Sequence, residues 1–151
     1  MKKICLLLGI ALLNGPAFNT FAAEGQGSMQ HMMHDSGDSR TSLNLSPEMK
    51  QHQLANMRSH VEAVQSIVGL IAKENFDQAA KVAHSKLGLT DEMKQMCDMF
   101  ENADFRKLGM AFHKSGDELG NVLKTKNTKK SLQALQNTMG YCVKCHATFR
   151  Q

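Results

Sequence analysis

The chain has 151 residues, a formal charge of +4, no Trp, one Tyr and four cysteines beside 11 methionines. So small a charge excess gives no ground for a nucleic-acid partner. So few cysteines in a chain of this length do not make a disulfide scaffold.

Lys2 and Lys3 precede an apolar run from Ile4 to Leu13, which Asn14, Gly15 and Pro16 end. This is the pattern of a secretory signal peptide, shorter than the roughly 20 apolar residues needed to span a bilayer. Thr20-Phe21-Ala22 places small residues where signal peptidase reads, so residues 1–22 are assigned as a leader cleaved after Ala22, and Cys5 leaves with it. The mature chain has no second long apolar run, so export to the periplasm without stable membrane insertion is expected.

Residues 23–42 are rich in Gly, Ser, Asp, Gln, Met and His without an apolar period, the composition of an unordered arm. Within it Met29-Gln30-His31-Met32-Met33-His34-Asp35 offers thioethers and imidazoles, which suit copper. The plainer alternative is a polar tether whose ligands are incidental.

A helical period begins after the arm, and residues 43–151 form the expected domain. Ser46-Pro47 reads as a capping hydroxyl followed by proline at the first helical position. Leu54, Met57, Val61, Val64, Val68 and Ile71 then predict one apolar stripe on a helix ending near Lys73. Asn75 is the expected cap of a second helix through Leu87, with Gly88 as a left-handed stop. Thr90 opens a short helix through Met93, Met96 and Cys97. Phe105, Leu108, Phe112, Ser115, Leu119 and Val122 predict the next long helix, in which Gly109, Gly116 and Gly120 admit a close neighbour or a flat ring. Thr128 is the expected cap of the last helix, with Leu132, Leu135, Met139, Cys142, His146 and Phe149 on its stripe. Short loops between long amphipathic helices imply an all-α, up-and-down antiparallel four-helix bundle.

Cys142-Val143-Lys144-Cys145-His146 has the form Cys-x-x-Cys-His. In this form two thiols add to the vinyl groups of a haem and the adjacent imidazole reaches its iron. One covalently attached haem c is therefore expected on the C-terminal helix, with Cys142 and Cys145 as attachment points and His146 as a metal ligand. A redox Cys-x-x-Cys belongs with a strand-helix-strand pattern, which is missing from the sequence. Structural zinc needs four ligands, whereas Cys97 stands alone. A plain disulfide leaves His146 without a part.

With its motif at the end of the chain, followed by Phe149 and Arg150, the sequence resembles the class II c-type cytochromes, the cytochrome c prime family, over Leu45 to Gln151. That family is itself an instance of the bundle topology inferred above. The resemblance matches Cys142 and Cys145 to the thioether cysteines and His146 to the proximal ligand. It matches Arg150, one helical turn beyond His146, to a basic residue near that histidine, the alternative being a solvated cation at the helix end. Met57 falls where relatives face the open side of the haem, and Gln53 stands where many have arginine.

Two readings of Met57 stay open. As sixth ligand it makes an electron carrier serving redox partner proteins. As a packing residue it leaves a five-coordinate iron open to nitric oxide or carbon monoxide. Copper handling by the arm is a third function. His60, at the edge of the stripe, is either a solvated residue or the second imidazole of a bis-histidine site. His52, His84 and His113 are expected at the surface. Cys97 is either buried or a free thiol joining two chains in a homodimer. The sequence holds no arrangement of catalytic acid, base or nucleophile, which argues against an enzyme.

Overall fold

A computed structural model describes residues 37–151. The expected leader and the Met29–Asp35 cluster lie outside the described residues. Those described are mostly helical, as the all-α expectation requires. No described helix is long and apolar enough to cross a membrane.

Ser46 Oγ accepts the Met49 N–H at 3.2 Å and Pro47 occupies the first turn, so helix α1 runs from Pro47 to Ala72. Glu74, with φ 54°, turns the chain out of it. The N–H groups of Glu74 and Asn75 close back on the carbonyls of Ile71 and Leu70, both at 2.9 Å, satisfying the last turn. Asn75 holds the cap position of the next helix, but its side chain makes no cap bond.

That helix, α2, spans Phe76–Val82 and continues as a π-helical turn, Ala83–Leu87. Gly88 does not stop it in the left-handed region. Its backbone is extended (φ −69°, ψ 166°), and glycine is needed because a Cβ there would meet the His84 carbonyl and the Asp117 carboxylate. Thr90 Oγ1 accepts the Met93 N–H to start α3, Asp91–Asp98. Asn102 starts α4, Ala103–Leu123, in the same way through Phe105 N–H. The cap of α5, Thr128–Thr148, is Asn127 and not Thr128: Asn127 Oδ1 accepts from Lys130 N–H at 2.9 Å. Asparagine and threonine both suit the position, so the period alone could not choose between adjacent candidates.

Helix α4 is the centre of the packing, lying against α5, α2, the π turn and α3, while α1 rests on α2 and meets α5 only sparingly. Ile67, Ala79, Ala83, Leu87, Leu119 and Leu123 are almost fully excluded from solvent. Each of the buried Leu and Ile side chains contributes roughly 1.5–3 kcal/mol of transfer free energy.

The stripe expected on α1 is corrected in its course. Ala63, Ile67 and Ile71 are buried, whereas Val61 and Val68 are exposed. Helix α1 packs on α2 and meets α5 only sparingly, and Leu54, Met57, Val61 and Val64 line a cavity between the helices. On α5, Ser131, Leu135 and Thr138 are buried, while Leu132 and Met139 are exposed.

The glycines of α4 admit a close neighbour. A Cβ on Gly116 would run into the Leu87 backbone, and one on Gly120 into the His84 ring. Gly116→Ala is therefore expected to destabilise the protein by about 1–3 kcal/mol through overpacking. Gly140, a helical glycine with open space around it, is the control: Gly140→Ala should gain roughly 0.5–1 kcal/mol. Denaturant unfolding measures both.

The end of the expected arm is also corrected. Thr41–Ser42 (β1) pair in parallel with Phe149–Arg150 (β2), and the Leu43 N–H donates to the Arg150 carbonyl at 3.0 Å. Leu43, Leu45 and Met49 pack on a small cluster of Phe100, Phe105 and Phe149. Backbone pairing and three apolar side chains supply what the polar residues 37–42 lack.

Candidate functional site

Where α1 and α5 stand apart, a cavity of about 630 Å³ opens, lined mainly by apolar side chains. This volume falls in the range of small-molecule and cofactor pockets. Its walls come from four helices: Met57, His60 and Val64 of α1, Met93 and Cys97 of α3, Phe112 and His113 of α4, and Cys142, Cys145 and His146 of α5. Residues remote in sequence thus share one chamber.

On α5 the i, i+3 spacing of Cys142 and Cys145 puts both thiols on one face. Both are half-buried and unbonded. Burial raises the Cys142 thiol above its ordinary range, and burial followed by the neighbouring Cys142 pushes Cys145 up to about 11. At neutral pH both are S–H groups, able to add across a carbon–carbon double bond: the S–C bond forms at one carbon and hydrogen goes to the other. His146 follows directly, lining the cavity while its residue is largely exposed. Met57 lines the same cavity from α1, as does Gln53, which is buried.

Arg150 is not among the lining residues, and the expectation that it lies one helical turn past His146 fails because α5 ends at Thr148. Phe149 is extended and sinks into the small aromatic cluster, carrying Arg150 into β2. There its Nε is 3.8 Å from Asp38. The basic residue that hydrogen-bonds to the backbone of His146 is Arg40, which the sequence reading missed. Its Nη1 donates to the His146 carbonyl at 3.2 Å, and its Nη2 and Nε donate to the Asp38 carboxylate at 2.7 and 2.8 Å. Those bonds hold Asp38 down to about 2. Arg40 thereby satisfies a carbonyl that the end of the helix leaves without an intrahelical partner. Arg40→Ala should lower the thermal midpoint of the protein, as followed by circular dichroism. No apolar period marks Arg40, so a sequence search had no signal for it.

Three histidines differ from expectation. His113 is not a surface residue: it is 5% exposed, and its Nδ1–H donates to the Leu87 carbonyl at 2.9 Å. Burial lowers its pKa, against the opposing pull of that carbonyl. His60, placed at the stripe edge by sequence, is half-buried in the cavity, its ring 4.9 Å from Phe112 and 5.5 Å from His113 between centroids. Burial, then the neighbouring His113, pushes it down to about 4, so it is a neutral imidazole. Only the packing of the π turn on α4 explains His113, whereas the position of His60 one turn beyond Met57 was a usable signal. His84 is also partly buried, its Nδ1–H donating to Asp117 Oδ1 at 2.9 Å, and His52 is exposed as expected. Of the two readings of Cys97, the structure has the buried one, at 7% exposure beside Gly109.

Among the described residues no three His, Cys, Asp or Glu side chains converge on a point, so a zinc-type cage is not built here. Comparison with family models, with curated proteins and with solved structures finds no match. The functional argument therefore rests on the residues of the cavity.

Proposed function

We propose that the chain is an exported c-type cytochrome carrying one covalent haem and serving as an electron carrier. The observation that supports this most directly is that Met57, from α1, lines the same apolar cavity as Cys142, Cys145 and His146, from α5. Thiols, imidazole and thioether, enclosed by apolar walls, are the donor set that a haem requires. In this reading α1, α2 with its π turn, α4 and α5 are the four rods of an up-and-down bundle, and α3 is part of a connection.

Cys142 and Cys145 would hold the ring through their thiols, and His146 and Met57 would offer a nitrogen and a sulfur donor to its iron. When bound, the haem iron supplies one-electron redox chemistry. With both His146 and Met57 as donors, small molecules would be kept off the metal and the thioether would raise the reduction potential. Phe112 and the other apolar walls exclude water and lower the local dielectric, a further lever on that potential. The partners are then redox proteins that meet the exposed edge of the cavity.

An optical spectrum of the purified holoprotein tests the assignment. A six-coordinate low-spin pattern, with the weak sulfur-to-iron band of the ferric state and no rapid reaction with carbon monoxide, is expected. A high-spin spectrum and ready carbon monoxide binding would instead make the protein a five-coordinate gas binder.

A further inference from the structure

We propose that His60 is a reserve axial ligand, taking the sixth position on the iron when the Met57 sulfur does not hold it. This rests on the haem assignment above and adds a second coordination state to the same site.

Geometry carries the argument. His60 lies three residues beyond Met57 on α1, and the two side chains line the same cavity. A spacing of i, i+3 puts them one above the other on one helix face. The ring of His60 is steadied by Phe112 at 4.9 Å and His113 at 5.5 Å.

Each of the other three histidines of α1, the π turn and α4 has one ring nitrogen engaged, the second of His84, Nε2, being buried without a partner. His113 bonds to the Leu87 carbonyl, His84 to Asp117, and His52 Nε2 lies 2.6 Å from Met96 Sδ. Among the described residues no hydrogen bond engages either ring nitrogen of His60. As a neutral imidazole it already has the form that binds a metal.

The exchange balances simply. The iron–sulfur bond to Met57 breaks, an iron–nitrogen bond to His60 forms, and neither protons nor electrons are gained or lost. Thioether is the softer donor and imidazole the harder one, so the ferric state favours the exchange more than the ferrous state does.

The test uses covalently loaded full-length protein and three variants: Met57→Ala, His60→Phe and both together. Phenylalanine keeps an aromatic ring against Phe112 and His113 without a donor. Optical and electron paramagnetic resonance spectra report the ligands without reference to activity. Met57→Ala should lose the sulfur-to-iron band yet stay six-coordinate and low-spin. The double variant should be high-spin and bind carbon monoxide, and His60→Phe alone should keep the wild-type spectrum.

A high-spin Met57→Ala protein overturns the proposal while leaving the Met57 assignment intact. A double variant that stays low-spin overturns it too, by showing that another residue supplies the nitrogen. If His60→Phe alone turns the protein high-spin, His60 is the resident ligand and the reserve role is wrong. A wild-type protein without covalent haem removes the parent assignment and this proposal together.

Discussion

Cys142→Ala and Cys145→Ala are each expected to weaken or abolish covalent haem retention, and the double variant to abolish it. Each thiol makes one of two independent links, so a single variant keeps at most one. Haem stain on a denaturing gel reads this directly, since ring held only by axial ligands leaves with the fold. The fold should suffer as well. An unfilled cavity of about 630 Å³ leaves Phe112, Val64 and Met57 without partners, and the α1–α5 contact is too slight to close it. The double variant should therefore unfold at lower temperature than the holoprotein. Full covalent haem content in either single variant would contradict the role given to that cysteine.

The second large effect is expected from Met57→Ala. Loss of a thioether opposite histidine should lower the reduction potential by on the order of 100 mV, a fraction of the roughly 0.8 V over which axial ligands tune haem. Spectroelectrochemical titration measures it. The decrease is expected whether His60 or nothing replaces the sulfur, and the spin state distinguishes those two outcomes. An unchanged potential and spectrum would mean that Met57 only fills space in α1.

Much of the fold was legible because its signals are local. Ser46 with Pro47 and Thr90 act as caps through bonds that reach three residues ahead. The position of Met57 on α1 and the spacing of Cys142 and Cys145 on α5 follow from helix periodicity in the same way. What failed depends on partners distant in sequence. Val61 and Val68 satisfy the apolar period but are exposed, Val61 at the cavity wall, because the period does not say which positions a neighbouring helix covers. Gly88 fits a left-handed stop by composition, yet its glycine is required by Asp117 from α4. The burial of His113 depends on the Leu87 carbonyl, made available by a π turn that no propensity announces. Thr41 and Ser42 read as polar tail, but the end of α5 at Thr148 exposes a strand edge that they pair with. Arg150 was misplaced for the same reason: helix spacing was extended past the point where the helix stops.

The central claim is that this chain carries its haem through Cys142 and Cys145. Intact-mass measurement on the wild-type protein, expressed with its leader and denatured before analysis, tests it most directly. The expected result is the mass of the mature polypeptide plus one haem, with Cys97 the only cysteine left to react with a thiol reagent. The bare polypeptide mass, with Cys142 and Cys145 both still reactive, would contradict it.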